Sequence, residues 1–327
     1  MRELPVRLAG DVELAGTLTL PDAPLPVPAV AIASGSGPLD RDSNHRRMRF
    51  DVARQLAGAL AAGGLASLRY DKRGVGESPG DWRRAGFRDN ADDLRSAVRT
   101  LSERPEVDPG RILVAGHSEG ALLAAAVAAD GAPVAGVVLL SMSATPGEEL
   151  LRWQTRQIAP TLPAPVRALL RLFRVDLEAK VAKNHAKLRA TTADVVRMGG
   201  ARLNARWFRE FLDHDPRADL RRLAVPVLAV TGSKDLQVDP ADLDTVAALV
   251  GAPAQVALVP DLTHTLRRQS GPPSLRAYKR ELREPVDAEV LDVVVSWCRA
   301  TAGPAVDAAS RETPTRTSQE PGLPESS

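Results

Sequence analysis

The chain of 327 residues is 44% hydrophobic and 26% charged, and its 43 Lys and Arg nearly cancel 41 Asp and Glu. That balance excludes the strong one-signed field with which a nucleic-acid or membrane-surface binder draws its partner, and the length allows one large core or two modest ones. A single cysteine, Cys298, excludes an intrachain disulfide and any multi-cysteine metal site.

The N-terminal stretch MRELPVRLAGDVELAG lacks an apolar signal core, and nowhere do 18 apolar residues run unbroken. A cytoplasmic protein without a membrane span is expected. Apolar residues at Leu4, Val6 and Leu8, then from Val12 to Leu20, predict an antiparallel hairpin. Beyond the proline-rich connector Pro21 to Pro28, Ala29 to Ala33 reads as a buried strand ending in Ser34-Gly35-Ser36-Gly37-Pro38. His45 to Ala62 has helical spacing through Met48, Val52, Leu56 and Leu60, and stops at Gly63-Gly64. Leu65 to Tyr70 is the next strand, feeding the loop DKRGVGESPGDW, and Phe87 to Glu103 places Leu94, Val98 and Leu101 on one helical face. A strand at Ile112 to Ala115, a helix reaching Ala129 and a strand at Gly136 to Leu140 continue the alternation. Such an order predicts an α/β fold, a mostly parallel twisted sheet with helices on both faces.

From Ala144 to about Arg222 the chain is basic, helical in spacing and poor in strand signals, with apolar residues such as Trp153, Leu169, Leu172, Phe173, Trp207 and Phe208 scattered through it. A helical insertion is expected there. Pro226 to Thr231 resumes the sheet, followed by a helix from Ala241 to Val250, a strand from Ala254 to Val259 and a closing helix from about Ala288 to Arg299. Residues 1–143 and 223–302 therefore read as the core, 144–222 as the insertion, and 303–327 as a disordered tail.

Chemistry concentrates at Gly116-His117-Ser118-Glu119-Gly120, where an apolar strand meets a helix. In that setting G-x-S-x-G is a nucleophile elbow, a strained turn that lifts the serine to the sheet edge above a helix N-terminus. A second match, Gly76-Glu77-Ser78-Pro79-Gly80, lacks the strand, and Pro79 has no N–H to offer as an oxyanion donor. Ser118 is the candidate nucleophile and Ser78 a loop residue.

A serine hydroxyl needs a histidine to take its proton and a carboxylate to orient that histidine. Of His45, His117, His185, His214 and His264, only His264 follows the last strand. His117 reads as a packed side chain inside the elbow, and the other three as solvated. Asp235 and Asp239 compete as the acid. Asp239 precedes Pro240 and a helix, the signature of an N-cap with proline at the first helical position, so Asp235 is favoured. The backbone N–H groups of Ser36 and Glu119 are the candidate oxyanion donors, although Gly35 and Gly37 can also be read as a plain tight turn.

These residues resemble the α/β-hydrolase superfamily. Besides GHSEG, Asp71 to Ser78 is similar to its D-x-R-G-x-G-x-S loop, and Gly35 to Asp42 resembles the GSGP-x-DRD segment of a bacterial serine esterase-like branch. Ser34-Gly35 stands where His-Gly is usual. The resemblance implies the α/β-hydrolase fold, a Ser-His-Asp mechanism through an acyl-enzyme, and a helical cap. It points to a carboxylic ester, with a thioester or a short peptide as alternatives on the same triad. Trp207 and Phe208 could line an acyl pocket or simply be the insertion's own core. No metal, other cofactor or nucleic-acid partner is expected, and the partner is a small-molecule acyl substrate. A non-catalytic binding protein on the same fold is the alternative of another class. Dinucleotide binding is disfavoured, because neither Gly35-x-Gly37 nor Gly74-x-Gly76 is followed by the third glycine that opens a helix. Deleting residues 304–327 is expected to leave melting temperature and turnover unchanged; a large drop in either would show a docked tail.

Overall fold

The computed structural model describes residues 1–303, without the side chains at positions 170 and 171. The expected tail, from residue 304 onward, lies outside the described residues. Strands β1 (Arg2–Leu8) and β2 (Leu14–Leu20) pair antiparallel with Leu8 opposite Leu14, and β3 (Val27–Ala33) follows. The stretch read as one helix from His45 divides. β4 (Asn44–His45) and β5 (Met48–Arg49) form a short antiparallel ribbon, and α1 begins only at Val52 and runs to Ala62. Asp51 breaks the pattern, with a left-handed φ of 56° and its N–H donated to Asn44 Oδ1 at 3.0 Å. The spacing of Met48 from Val52 is coincidence, and Met48 is exposed.

β6 (Ala66–Tyr70), α2 (Phe87–Ser102), β7 (Val107–His117), α3 (Glu119–Ala129) and β8 (Gly136–Leu140) then build the central sheet. Between β8 and the next sheet strand lie α4 (Gly147–Ile158), α5 (Ala164–Leu172), α6 (Leu177–Ala190), β9 (Val195–Met198), β10 (Ala201–Asn204), α7 (Ala205–Asp213) and α8 (Pro216–Arg222). The β9–β10 hairpin escapes sequence reasoning because its strands are short and only partly apolar. It turns at Gly199-Gly200, both at positive φ. Residues expected to be scattered through this segment sort by position. Phe211 and Leu212 are buried, Trp153 and Trp207 pack against the main core, and Leu169, Leu172 and Phe173 are exposed. His185, expected to be solvated, is buried on α6, which packs against α4 and α7. His214, also expected in solvent, is half-buried with its ring 4.6 Å from that of Phe87.

The chain returns through β11 (Val227–Gly232), α9 (Asp242–Leu249), β12 (Ala254–Val259), α10 (Tyr278–Glu281) and α11 (Ala288–Ala302). Asp239 does not cap α9 as expected. The helix begins later, at Asp242, and the Asp239 carboxylate accepts the Ala241 N–H at 3.0 Å in the preceding turn. Asp242 is held elsewhere, accepting from Ser143 Oγ at 2.8 Å and Ala144 N–H at 2.9 Å.

The eight-stranded sheet runs β1-β2-β6-β3-β7-β8-β11-β12, parallel from β6 to β12 and antiparallel at the β1-β2-β6 edge. Its central strands are apolar on both faces, as burial on both sides demands. Val30, Ile32, Leu113, Ala115, Val138 and Leu140 meet α1 and α11 on one side. Their sequence neighbours Ala31, Val114 and Leu139 face the opposite core, with α2, α3, α8 and α9. Cys298 lies fully buried on α11, where burial pushes its thiol up to about 12.

At the junction of β7 and α3 the backbone packs too tightly for side chains. A Cβ on Gly116 would lie 1.9 Å from Gly120 O, and one on Gly120 would lie 2.1 Å from Ala33 O. Gly116→Ala is expected to destabilise the fold by about 3 kcal/mol, since backbone rather than a flexible side chain would have to yield. Urea unfolding measures it, and a loss below about 1 kcal/mol would show that the junction adapts.

Candidate active site

Ser118 sits between β7 and α3 with φ 57° and ψ −118°, a strained conformation for a residue with a side chain. Its own N–H donates to Leu140 O on the neighbouring β8 at 2.9 Å, which locks the turn to the sheet. The side chain is half-buried at the carboxyl edge of the parallel strands. Ser78, the rejected second match, is buried and fully engaged: its hydroxyl donates to Asp71 O at 2.8 Å and accepts the Ala15 N–H at 2.9 Å.

Two loops from later strands converge here. A Cβ on Gly232 would meet Leu262 O at 2.1 Å, so the end of β11 lies directly against the loop after β12. That contact brings Asp235 and His264 together, with His264 Nδ1 2.8 Å from Asp235 Oδ2. The other oxygen, Asp235 Oδ1, accepts the N–H groups of Gln237 and Val238 at 2.8 and 3.0 Å. Both side chains are buried. A carboxylate can only accept, so Nδ1 donates to it and Nε2 is turned away from Asp235. The His264 loop is fixed from behind by Arg267, whose buried guanidinium donates to the carbonyls of Thr265 at 2.6 Å and Phe50 at 2.7 Å. His117 joins the elbow to this loop. Its Nε2 lies 2.8 Å from His264 O, and the two rings are 4.9 Å apart. Among the described residues, no hydrogen bond joins the Ser118 hydroxyl to either ring.

The loop after β3 completes the edge. A Cβ on Gly35 would stand 3.5 Å from Ser118 Cβ, so this loop passes beside the elbow. Among the described residues nothing accepts the N–H of Ser36 or of Glu119, the latter being the first residue of α3 and without an intrahelical partner. The two sequence motifs flanking the site also interlock. Arg41 Nη2 pairs with Asp71 Oδ2 at 2.6 Å, while Asp71 accepts the N–H groups of Arg41 at 2.7 Å and Glu77 at 2.9 Å.

The Glu119 side chain escaped sequence reasoning, which used only its backbone. It is buried, and its carboxylate accepts from Trp207 Nε1 at 2.7 Å, Asn90 Nδ2 at 2.9 Å and Lys72 Nζ at 3.2 Å. The only hint in the sequence is a charged residue opening an otherwise apolar helix. Beside it opens a cavity of about 310 Å³ bounded by Ser36, Lys72, Asn90, Glu119, Trp207 and Phe208. Trp207 stacks on Phe211 at 4.7 Å and meets the edge of Phe208 at 5.1 Å, so both Trp207 and Phe208 combine packing with a place on the cavity wall. Leu151 and Phe208 also border a second cavity, of about 350 Å³, between α4 and α6. Among the described residues no three His, Cys, Asp or Glu side chains lie together as metal ligands, and no helix is long and apolar enough to cross a membrane.

A parallel sheet with a serine turn after one central strand and an Asp–His pair after two later ones defines the α/β-hydrolase superfamily. Within it the chain belongs to the serine aminopeptidase S33 family, whose profile matches residues 49–269. Esterase EstD of Thermotoga maritima is 27% identical over 287 residues, covering 87% of this chain and 65% of EstD. The chain thus spans just under two thirds of that relative's length. Among solved structures, Est1E of Butyrivibrio proteoclasticus with ferulic acid bound matches with a TM-score of 0.59 over 90% of this chain and 96% of Est1E, at 18% identity. Proline iminopeptidase of Mycobacterium smegmatis matches with a TM-score of 0.60 over 91% of this chain and 99% of the other, at 15% identity. At these identities the solved structures share the fold alone.

Burial sets the pH response of the site. Burial alone would raise the Asp235 carboxyl, but the His264 ring and the two backbone N–H groups outweigh it and hold the group below the usual carboxylate range. The stability it contributes is present above the ordinary carboxylate pKa and is lost only as pH falls through the lowered value. His117 responds earlier. Burial first, then the adjacent His264 ring, pushes it down from 6.5 to about 3. Between those values the unfolded chain holds one proton that the folded chain refuses, so stability falls with acidification by up to about 1.4 kcal/mol per pH unit. His117→Asn keeps a donor for the His264 carbonyl and removes the titration. Urea unfolding between pH 6 and 4 is expected to show a flatter decline in the variant; an equal slope would assign the lability to other groups.

Proposed function

We propose that the protein is a serine hydrolase that cleaves carboxylic esters through an acyl-enzyme. Ser118 Oγ attacks the carbonyl carbon while His264 Nε2 takes its proton, and Asp235 stabilises the imidazolium. The Ser36 and Glu119 N–H groups bind the developing oxyanion. His264 returns the proton to the departing alcohol, then activates the water that releases the acid. The His264–Ser118 hydrogen bond closes in the substrate complex, where such contacts commonly tighten. The observation that carries this reading is the buried Asp235–His264 pair at 2.8 Å, beside a strained Ser118 in a chain of this family. The similarity to EstD, an esterase by name, supports the ester.

The basic lining of the cavity argues against a free amino terminus as the recognised group. Glu119 is the only carboxylate among its described lining residues, and three donors already occupy it. An ammonium would enter beside Lys72 and Arg73 with no free acid to meet it. In this reading, 1–143 and 223–302 act as the catalytic core, and 144–222 as a cap that walls the acyl cavity with Trp207 and Phe208.

Ser118→Ala is expected to lower kcat for p-nitrophenyl ester hydrolysis by about 10⁴-fold or more. Asp235→Asn should lower it by about 10⁴-fold, because an amide donating to Nδ1 selects the tautomer that cannot accept at Nε2. Turnover retained in Ser118→Ala would remove the serine mechanism. An intact, inert parent chain across esters, thioesters and peptides would favour a non-catalytic binding protein.

A further inference from the structure

The buried Lys72 finds no place in the triad, yet it touches both halves of the proposed oxyanion hole. It leaves the end of β6, the strand beside β3, and β3 is in turn flanked by β7. Its side chain therefore reaches across the loop after β3 toward the elbow after β7. Nζ donates to Gly35 O at 2.6 Å and to Glu119 Oε2 at 3.2 Å, with both charged side chains excluded from solvent.

The contact with Gly35 O has a geometric consequence. Gly35 C=O and Ser36 N–H are opposite ends of one planar trans peptide, so fixing the oxygen fixes the direction of the N–H. This matters because Gly35 and Gly37 leave the segment conformationally free, and Gly37 sits at φ 90°. Among the described residues, no other side chain donates to that carbonyl. A cation on the oxygen also polarises the peptide and strengthens its N–H as a donor. On the other side, the Glu119 carboxylate belongs to the residue that supplies the second N–H. Asn90 and Trp207 hold the same carboxylate, so its position is set from three directions.

We propose that Lys72 is a positioning residue of the oxyanion hole: its ammonium locks the Gly35–Ser36 peptide and ties it to Glu119, so that both N–H groups point at one oxygen. This rests on the serine-esterase reading. It assigns Lys72 no contact with substrate and predicts that its loss is felt in the transition state rather than in substrate binding.

The test uses the full chain with a p-nitrophenyl ester and phenylboronic acid, whose tetrahedral serine adduct carries the oxyanion. Lys72→Met is expected to lower kcat about 10²-fold, the scale of losing one oxyanion donor. KM should move less than about threefold, and the boronate inhibition constant should rise in step with the fall in kcat/KM. Because Lys72→Met leaves Glu119 an uncompensated buried charge, Lys72→Met/Glu119→Gln is measured beside it; its glutamine still accepts from Asn90 and Trp207, and the same pattern is expected. An unchanged kcat, a loss carried by KM with boronate affinity intact, or failure of both variants to fold would overturn the proposal, the last by making Lys72 structural. Ser118→Ala separates the two levels. If it stays active, the esterase reading fails; if it is inert while Lys72→Met keeps its kcat, only the role of Lys72 fails.

Discussion

The first turn of α3 lies so close to β3 and β7 that no side chain fits at position 116 or 120, and the geometry of the site descends from that contact. Backbone against backbone leaves the chain one way around the corner, through the left-handed conformation of Ser118. Strain of this kind, of order 1–3 kcal/mol, persists only where the surroundings over-determine it. Here the Ser118 N–H bond to Leu140 and the helix behind it, buried from Glu119 to Val127, do so. The same approach sets the Glu119 N–H beside the glycine loop after β3. One steric fact thus gathers the serine turn, the first turn of α3 and the loop after β3 at the sheet edge.

Around this corner the protein buries charge, and each charge is answered. Asp71 meets Arg41 and two backbone N–H groups, Asp235 meets His264 and two more, and Glu119 meets an ammonium, an amide and an indole. An unpaired buried ion costs several kcal/mol, so these contacts come as complete sets. Completeness has a second effect. Groups whose partners are all in place need not reorganise when charge develops nearby, which is the condition for electrostatic stabilisation. The indole that reaches Glu119 belongs to α7, outside the sheet. The segment between β8 and β11 is therefore fastened to the elbow by a hydrogen bond as well as by packing.

The solved structures share the fold over nine tenths of this chain, at identities where side chains are largely exchanged. That is expected when the sheet supplies positions and the chemistry resides in a few loop residues at its carboxyl edge. In this chain the segment between β8 and β11 contributes to the wall of one cavity and lines most of a second.

Elements whose signal is local were legible in the sequence. The alternation of strands and helices, the turn at Gly116 to Gly120 and the place of His264 past the last strand follow from apolar runs and glycines within a few residues of one another. Periodicity failed where a distant contact outweighed it. His45 to Arg49 forms a ribbon because Asp51 turns left-handed against Asn44, and α9 starts at Asp242 while Asp239 is used in the turn before it. His185 is buried by neighbouring helices that no local pattern foretells. The sequence by itself determined the fold class and the residue types available for chemistry, because burial on both sheet faces and tight backbone turns leave marks on consecutive residues. Only the tertiary structure decided which of them meet. The pairing of His264 with Asp235, the support of Arg267 behind it and the reach of Lys72 to Gly35 and Glu119 all join residues far apart in the chain, and they exist because adjacent parallel strands end at one edge.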